Sequence, residues 1–474
     1  MDSKAVTWDD YKRWLQLESF VPPELPAPAL ARLSTDSRSI KTGDWFVPLS
    51  GESFDGHRYV SQALAQGAAG FFYAEARGRE FSAAERKLGL AVTDPLEALQ
   101  KAASGWRRQM PQLKLIALTG SAGKTTTKEM LARILRQSGP TLATEANFNN
   151  EIGVPKTLQL LRSDQRFAVL EFGARKTGNI AFLCKLATPD VTCLLNVGTA
   201  HVGVFGSVEK LLATKLEIFR DSGSESIQIA NFDDPRIMAG AKATGKKTIS
   251  FGSEPGADVQ VESCQWLANA SGMQVTLNVL GTRTSFEMGV AHAMFAVNAA
   301  AAAAMAVAAG AKAECISAGL TGFSGAKGRY QIHHMSRLTI IDDTYNANPE
   351  SLAAGLATVA RSYQGQRIGL VLGDMLELGN DTHAQHRRLG LELIAPMQPT
   401  LLATVGEEAK VFAEGARAGH YPPERLRSYS SVFDLLADHV AFEDYCDVLY
   451  IKGSNGVKLA KLVEALTTAA ARSP

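Results

Sequence analysis

The sequence has few cysteines, and they are scattered. The five cysteines of the 474-residue chain stand at positions 184, 193, 264, 315 and 446, with no C-x-x-C pair among them. This spacing indicates neither a disulfide framework nor a zinc site, so reduced thiols are expected. An excess of one charge is also lacking, because 49 Lys and Arg oppose 48 Asp and Glu for a net charge of +1. The balance argues against a broad electrostatic surface for nucleic acid or membrane.

Long runs of large apolar residues are missing as well. The first twenty residues are charged throughout and contain no apolar core of a signal peptide, so we expect a cytoplasmic protein. The uncharged stretch AMFAVNAAAAAAMAVAAGA, at 293–311, consists mostly of alanine and is interrupted by Asn298. Alanine contributes little transfer free energy to a membrane but has the highest helix propensity. The stretch therefore predicts a tightly packed internal helix.

What the chain does contain is a repeated α/β pattern. A chain of 474 residues is too long for one core and predicts several domains. Apolar strands alternate with helical segments, as in sheets buried on both faces. The pattern predicts an α/β protein with units at 1–107, 108–326 and 327–474. Within the second unit, alternation near 258–290 predicts an antiparallel meander.

The stretch ALTGSAGKTTTKEM, a quarter of the way along the chain, is typical of a phosphate-binding loop. A strand that turns into a helix presents backbone N–H groups and the positive end of the helix dipole to an anion. A Walker A motif would have glycine where Leu118 stands, so the loop departs from that pattern. Gly120 and Gly123 allow close approach of the backbone to a ligand. Lys124 can reach the outer phosphates of a nucleotide, and Thr125 can offer its hydroxyl to Mg²⁺.

Polar residues follow several predicted strands of the second unit. Glu171 ends the apolar run FAVLE, His201 follows CLLNVGTA, and Lys215 lies on the next predicted helix. The segment EANFNNEIGVP adds Asn147, Asn149 and Asn150. Open parallel sheets bind ligands at the carboxyl ends of their strands, so these residues are candidates for one site. Taken singly, each has an ordinary structural explanation, such as a helix cap, a solvated lysine or a turn.

The motifs taken together resemble one family. TDSR, GDWFVPLSGESFDGH, TGSAGKTTTKEM, NFNNEIGVP, NVGTAHVGVFGS, IDDTYNANPESL and VLGDMLELG extend over nearly the whole chain. With these motifs the chain is similar to the ATP-dependent Mur ligases of peptidoglycan synthesis. The family's loop has the short form T-G-S-x-G-K-T, so Leu118 is expected. The last two motifs favour the branch that adds D-alanyl-D-alanine.

The resemblance implies a three-domain enzyme. Residues 1–107 would bind the UDP-muramoyl substrate, 108–326 would form a P-loop ATP-binding domain, and 327–474 would form a Rossmann-like domain that closes over ATP. ATP would phosphorylate the terminal carboxylate of UDP-N-acetylmuramoyl-tripeptide. The amine of D-alanyl-D-alanine would then attack the acyl phosphate, giving ADP, phosphate and UDP-N-acetylmuramoyl-pentapeptide. A monomer that neither binds nucleic acid nor inserts into a membrane is expected.

The resemblance also implies roles for individual residues. The catalytic set would be Lys124, Glu171, His201 and Lys215. Two Mg²⁺ ions would be held by Thr125, Glu171, His201 and Lys215, the last as a carbamate formed with CO₂. ATP would contact Gly120, Ser121, Ala122, Gly123, Lys124, Thr125, Thr126, Asn298, Arg329 and Asp343. The UDP substrate would contact Ser37, Arg38, Asn147, Asn149, Asn150 and Arg175. The D-alanyl-D-alanine side would include Tyr345, Asn346 and Asn348, supported by Asp374, Glu377 and His386.

Two departures from the family pattern concern substrate contacts, and three alternatives remain. Arg175-Lys176 and Asn455-Gly456 stand where the family commonly has other residues. A sister ligase that adds the third residue to the UDP-muramoyl dipeptide would share the central motifs. Folylpolyglutamate synthetase is a more distant relative without such a UDP-sugar domain. A nucleotide-binding regulatory protein with an inactive site is the alternative from another class. The sequence leaves open whether the tripeptide ends in lysine or diaminopimelate.

Overall fold

The computed structural model describes residues 5–18, 20–51, 54–145, 147–198, 205–267 and 272–471. Its strands form a small N-terminal sheet, a large central sheet and a third sheet in the C-terminal part. Helices cover these sheets, which confirms the predicted α/β class. The division at 107/108 and 326/327 remains our proposal for the domain boundaries.

The N-terminal sheet is parallel and has four strands. Their order across the sheet is Leu33–Ser34, Trp45–Phe46, Gly70–Ala74 and Gly89–Val92. A separate two-stranded hairpin pairs Ser50–Gly51 with Phe54–Asp55. Buried aromatic side chains, among them Trp45 and Phe72, fill the core beneath the sheet.

The central sheet has nine strands. Their order is Thr282–Met288, Met273–Val279, Val259–Trp266, Thr248–Gly252, Ile227–Asn231, Val191–Leu194, Lys114–Thr119, Phe167–Glu171 and Thr141–Ala143. The first three form the predicted antiparallel meander, and the others run parallel. The meander joins the parallel strands through the pair Phe251 and Val259, so one sheet runs through the whole unit.

The third sheet has six strands. Their order is Gln331–His334, Thr339–Asp343, Val448–Lys452, Ile368–Gly373, Leu401–Val405 and Leu426–Tyr429. Only the first of these described strands is antiparallel to its neighbour. The carboxyl ends of the neighbouring strands Thr339–Asp343 and Val448–Lys452 therefore face the same edge of the sheet.

The described α-helices follow the strands in the expected alternation. They are Trp8–Leu15, Val60–Ala65, Ala83–Lys87, Pro95–Arg108, Lys124–Arg136, Gly153–Leu158, Asn179–Ala187, Val208–Arg220, Pro235–Lys242, Ala293–Ala308, Ala313–Leu320, Pro349–Ser362, Thr382–Leu389, Ala395–Met397, Lys410–Ala418, Val432–Ala437, Phe442–Tyr445 and Ala460–Ala471. In the described part of the chain, none has the length and apolar character needed to cross a bilayer.

The alanine-rich stretch forms the buried helix Ala293–Ala308, as predicted. Residues 299–306 are fully buried, and the helix packs on the central sheet and on the helix Lys124–Arg136. Methyl side chains allow the backbones to approach closely, which the dense packing of a protein core requires. The helix that follows the phosphate loop is thereby held in place from behind.

The three units touch one another outside the central cleft. Lys156 Nζ donates to Thr35 Oγ1 at 3.0 Å, which joins the central unit to the N-terminal one. Trp266, at the end of a meander strand, donates its indole N–H to Ser362 Oγ at 2.9 Å. The guanidinium of Arg361 lies 4.0 Å from the centroid of the same indole. The meander therefore contacts the carboxyl end of the helix Pro349–Ser362.

Candidate active site

A cleft of about 650 Å³ lies between the central and C-terminal units. The phosphate loop, the end of the strand Phe167–Glu171 and the segments after two strands of the third sheet all border it. The following predicted site residues line this cleft: Gly120, Ser121, Ala122, Gly123, Lys124, Thr126, Asn147, Asn149, Asn150, Glu171, Arg175, Lys215, Asn298, Arg329, Asp343, Tyr345, Asn346, Asn348 and Glu377. Residues up to 336 positions apart in the sequence (120 to 456) therefore meet at one site.

The phosphate loop enters its helix through Gly123, which has φ +79°. This left-handed conformation is easy for glycine and costly for other residues. A Cβ at this position would also lie 2.8 Å from Asn298 Oδ1, so Asn298, a predicted ATP contact, packs directly against the loop. No side chain caps the helix Lys124–Arg136. Its first backbone N–H groups and its dipole are thus available to an anion.

Asn196 holds the front of the phosphate loop, and the sequence analysis did not identify it. Its Oδ1 accepts from the backbone N–H of Ser121 at 3.0 Å and of Ala122 at 2.9 Å. Its Nδ2 donates back to the carbonyl of Ala122 at 3.1 Å. These two amides, which we expected to contact phosphate, are therefore used to shape the loop. The buried Ser121 hydroxyl has no hydrogen-bond partner among the described residues.

Lys124 is half-buried at the start of the helix. Its Nζ donates to the carbonyl of Gly120 at 2.8 Å, within the loop itself. Burial lowers the pKa of Lys124; Glu171 opposes this effect and Arg329 adds to it. The amine thus lies beside the loop without a carboxylate ion pair among the described residues. An approaching phosphate would supply the missing negative charge.

Glu171 lies at the centre of the polar contacts on this wall. Its side chain is buried, and Oε2 accepts from the Thr125 hydroxyl at 2.9 Å. Its Oε1 accepts from Asn149 Nδ2, also at 2.9 Å. The sequence analysis assigned Thr125 and Glu171 to magnesium and Asn149 to the UDP substrate. The fold brings all three into contact across the strand end, the helix and the asparagine segment.

The oxygens of Thr125 and Glu171 fit a magnesium ion. Mg²⁺ prefers oxygen ligands at about 2.0–2.1 Å in octahedral geometry, so neighbouring ligands stand roughly 2.9 Å apart. The Thr125 hydroxyl and Glu171 Oε2 have this separation. Within the described residues, no group of three His, Cys, Asp or Glu side chains could hold a metal by itself. The predicted ligand His201 lies outside the described residues.

Lys215 is 5% exposed and borders the cleft from the helix Val208–Arg220. Among the described residues it has neither a hydrogen bond nor an ion pair through its amine. Burial lowers the pKa of Lys215 well below its ordinary value, and the positive charge of Lys124 lowers it further while Glu171 opposes the shift. Burial and the neighbouring positive charge both favour the neutral form of this amine.

Arg329 connects the two units across the cleft. Its Nη2 donates to the Thr125 hydroxyl at 2.9 Å, although 204 residues separate them in the chain. Its guanidinium also stacks on the ring of Tyr345, with 3.9 Å between Cζ and the ring centroid. The buried Nε of Arg329 has no partner among the described residues. An anionic ligand between the units could use this donor.

The Asp343 carboxylate is hydrogen-bonded by residues of the neighbouring strand Val448–Lys452. Its Oδ2 accepts from Lys452 Nζ at 2.6 Å and from the hydroxyl of Tyr450 at 2.9 Å. Its Oδ1 accepts from the backbone N–H of Tyr330 at 3.2 Å. Lys452 also donates to the carbonyl of Asn346 at 3.0 Å, which holds the Tyr345–Asn348 segment at the cleft. The sequence analysis missed Lys452, although its position at the end of the strand VLYIK was a usable signal.

His292 caps the buried alanine helix beside the cleft. Its Nδ1 accepts from the backbone N–H of Met294 at 3.2 Å. The ring stacks on Phe295 and meets Tyr330 edge-on. Burial lowers the pKa of His292 to about 4, so the imidazole is neutral at neutral pH. This residue joins the central helix to the start of the C-terminal unit.

Two predicted substrate contacts lie away from the cleft. Ser37 and Arg38 belong to the N-terminal unit, where the guanidinium of Arg38 forms two hydrogen bonds with Asp36, at 2.9 and 2.8 Å. Arg175, by contrast, borders the cleft with an exposed side chain, and its backbone N–H donates to Asn179 Oδ1. Asp374 and His386 do not border the cleft. Asp374 accepts from the backbone N–H of the lining residue Ser454, and His386 accepts from that of Met375, next to the lining residue Leu376.

Comparison with known proteins places this site in a family. Residues 30–107 match the Mur ligase family catalytic domain, 118–306 the Mur ligase middle domain, and 328–455 the Mur ligase glutamate ligase domain. The UDP-N-acetylmuramoyl-tripeptide–D-alanyl-D-alanine ligase of Synechocystis is 35% identical over 92% of this chain and 91% of its own length.

Comparison with solved structures leads to the same family. MurF from Acinetobacter baumannii superposes with a TM-score of 0.85 and 32% identity, covering 98% of this chain and 99% of its own. MurF from Thermotoga maritima in complex with ADP gives a TM-score of 0.78 and 27% identity, covering 92% and 98%. The chain therefore belongs to the Mur ligase family, and within it to the MurF group.

Proposed function

We propose that this protein joins D-alanyl-D-alanine to UDP-N-acetylmuramoyl-tripeptide in an ATP-dependent reaction through an acyl phosphate. The observation that carries the proposal is that Thr125 contacts both Glu171 and Arg329, two residues that border one cleft together with Lys124. The relatives with the same three domains, which carry the name of this activity, support it. The alternative of a sister ligase adding the third residue is not favoured by these relatives.

Transfer of the γ-phosphoryl group of ATP requires positive charge near that group. Phosphoryl transfer is accelerated mainly by positioning and by electrostatic stabilisation of the charge on the transferred group. Lys124 and the uncapped amides of its helix would bind the β- and γ-phosphates of ATP from the central side. Arg329 would approach from the C-terminal unit. Its contact with Thr125 supports a role that depends on the two units being close together.

Magnesium would be bound by the oxygens of Thr125 and Glu171. It would neutralise phosphate charge when bound. Asn149 donates to the second oxygen of Glu171 and so orients the carboxylate toward Thr125. His201 remains the proposed ligand for a second ion.

Lys215 is proposed to react with CO₂. Its neutral amine would attack the carbon of CO₂, form a C–N bond and release one proton, giving a carbamate whose two oxygens share one negative charge. A lysine with a lowered pKa is suited to this reaction because the uncharged amine is the nucleophile. The carbamate would replace a cation by an oxygen ligand beside Glu171.

The remaining assignments follow the same division of the molecule. Ser37 and Arg38 would contact the UDP part of the substrate on the N-terminal unit, and Asn147, Asn150 and Arg175 would contact its peptide end. Tyr345, Asn346 and Asn348 would border D-alanyl-D-alanine. Closure of the C-terminal unit would exclude water from the acyl phosphate. The monomeric state and the cytoplasmic location stay predictions.

The test is phosphate release with ATP and each of two UDP-N-acetylmuramoyl-tripeptides, ending in lysine or in diaminopimelate. Phosphate should appear only when D-alanyl-D-alanine is added, and mass spectrometry should show the pentapeptide product. The two tripeptides also decide which third residue the enzyme prefers. Release that needs a UDP-muramoyl dipeptide and a free diamino acid instead would establish the sister activity.

A further inference from the structure

The segment at 374–378 lies on the C-terminal wall, where Leu376, Glu377 and Leu378 border the cleft. Its side chains face two ways. Met375 and Leu378 are buried in the core of the C-terminal unit, whereas Leu376 is 46% exposed. A single exposed leucine is ordinary on a protein surface. Of the ten large apolar side chains that the described residues leave most exposed, however, only Leu376 lines the cleft. The position of Leu376, more than its exposure, is therefore the observation to explain.

His386 fixes the backbone of this segment from below. It is fully buried, and its Nε2 accepts from the backbone N–H of Met375 at 3.0 Å. Its Nδ1 lies 2.7 Å from the carbonyl of Thr382 and donates to it. Both ring nitrogens are thus engaged, which requires a neutral imidazole protonated on Nδ1. Burial lowers the pKa of His386, in agreement with that state.

Further contacts hold both ends of the segment. The backbone N–H of Leu376 donates to Ser454 Oγ at 2.9 Å, and Ser454 N–H donates to the carbonyl of Asp374 at the same distance. Asp374 Oδ1 accepts from the backbone N–H of Ala409 at 2.7 Å. Glu377 has φ +66°, a conformation that non-glycine residues keep only where the surroundings determine it. Leu376 is therefore presented on a rigid backbone.

The room beside Leu376 is small. A Cβ added to Gly456 would lie 3.0 Å from Leu376 Cδ1, so these two residues form one continuous surface on the C-terminal wall. The central wall carries the charged and amide side chains that suit the phosphates and carboxylates of the two larger substrates. The third substrate is a small dipeptide whose side chains are two methyl groups. Other apolar residues that line the cleft, such as Phe172 and Leu378, are buried, so Leu376 is the exposed large aliphatic side chain there. A rigid apolar side chain of this kind is the contact that such a methyl group needs.

We propose that Leu376 is a specificity-determining residue that contacts one methyl group of D-alanyl-D-alanine, with His386 as the positioning residue that holds its backbone. This inference rests on the proposed function and assigns a role to the VLGDMLELG motif. His386 itself touches no substrate and acts through the Met375 amide.

The experiment removes the Leu376 side chain and the substrate methyl groups separately and together, as in a double-mutant cycle. The value of kcat/KM is measured with D-alanyl-D-alanine, D-alanylglycine and glycyl-D-alanine for the wild type, Leu376→Ala and Leu376→Met. In the wild type, loss of the contacted methyl group should lower kcat/KM on the order of tenfold. The methyl ratio is the kcat/KM for D-alanyl-D-alanine divided by that for the dipeptide without the contacted methyl group. In Leu376→Ala the methyl ratio should fall to within about twofold of one. Leu376→Met should keep most of the wild-type methyl ratio because it conserves volume. Leu160→Ala, at a leucine that is 42% exposed and does not border the cleft, should leave both ratios unchanged.

The positioning role is tested with two substitutions of His386. His386→Gln keeps an acceptor at about the place of Nε2, whereas His386→Asn is too short to reach the Met375 amide. His386→Asn should shrink the same methyl ratio with the KM for ATP unchanged, and His386→Gln should restore most of it. Ser454→Ala removes the acceptor of the Leu376 amide and provides the same readout if His386→Asn does not fold.

The outcomes separate the two proposals. A wild type that releases no phosphate in response to D-alanyl-D-alanine contradicts the proposed function. An active wild type in which Leu376→Ala lowers kcat/KM equally for all three dipeptides overturns the role of Leu376. A folded His386→Asn with the wild-type ratio overturns the role of His386.

Discussion

The two walls of the cleft treat their lysines differently. On the central wall, Lys124 bonds only to a loop carbonyl, and Lys215 has no bonded partner among the described residues. On the C-terminal wall, Lys452 is paired with Asp343 at 2.6 Å and also holds the carbonyl of Asn346. Buried charge is costly unless it is paired. The central wall thus leaves its basic groups without carboxylate partners among the described residues, while the C-terminal wall uses its lysine to join two strand ends.

The largest change in activity should follow the replacement of Lys124 by methionine. We expect kcat to fall on the order of ten-thousandfold, because a cation on the transferred phosphoryl group is lost. The midpoint of thermal unfolding should stay the same or rise, since a partly buried amine without a carboxylate partner among the described residues is removed. Lys176→Met, at an exposed lysine of the same cleft, is the control and should change kcat little. A Lys124→Met enzyme within tenfold of the wild type would contradict the assignment.

The second prediction concerns the other central lysine. Lys215→Ala should lose activity on the order of a thousandfold if an anionic ligand beside Glu171 is lost. Formate or acetate should restore part of the activity, and ¹³C-labelled bicarbonate should give a carbamate NMR signal in the wild type alone. Lys210→Ala, at an exposed position of the same helix, is the matched control. Near-normal activity without added acid would refute the carbamate.

Replacing Lys452 tests the opposite wall. Lys452→Met should destabilise the protein by about 3 kcal/mol, because Asp343 would be left largely buried without its cation. This value is at the low end of the destabilisation usual for breaking a buried ion pair. The loss is limited because Tyr450 and the Tyr330 amide still donate to the carboxylate. Thermal unfolding should shift down by several degrees. The double variant Lys452→Met/Asp343→Asn should recover part of the loss, and a double variant less stable than the single one would argue against the pairing.

The smallest expected effect concerns Arg175, a basic residue of the central wall that is exposed to the cleft. Arg175→Ala should raise the KM for the UDP-tripeptide roughly tenfold to a hundredfold, as for one charged hydrogen bond of about 1.5–3 kcal/mol. The KM for ATP in the same variant is the internal control and should change far less. Equal and small changes in both constants would identify Arg175 as a solvated surface residue.

Local signals in the sequence predicted much of the fold and of the central wall. The strand that ends in Glu171 and the loop that leads into Lys124 are each encoded in a short segment. Their meeting follows because parallel strands end at one edge of a sheet. The meander was also predicted, but its junction to the parallel strands through Phe251 and Val259 was not. Nothing in a run of alternating residues specifies which strand it will pair with.

The missed residues depend on neighbours that are distant in the sequence. Asn196 reaches the phosphate loop only because the strands Val191–Leu194 and Lys114–Thr119 are adjacent. Lys452 reaches Asp343 across 109 positions, which requires the strand order of the third sheet. His386 lies below a cleft segment because a helix returns beneath it. Each of these contacts is fixed by topology, which residue patterns alone do not determine.

The contact of Trp266 with Arg361 and Ser362 provides the protein with an optical reporter. The other four tryptophans, at positions 8, 14, 45 and 106, belong to the aromatic cluster of the N-terminal unit. Trp266 instead lies where the meander meets the helix Pro349–Ser362, with a cation over its ring and its N–H bonded. Separation of the two units would remove both groups and expose the indole to water. The difference between the fluorescence of the wild type and that of Trp266→Phe isolates the emission of Trp266. This emission should follow opening and closing of the cleft in real time, without an attached dye.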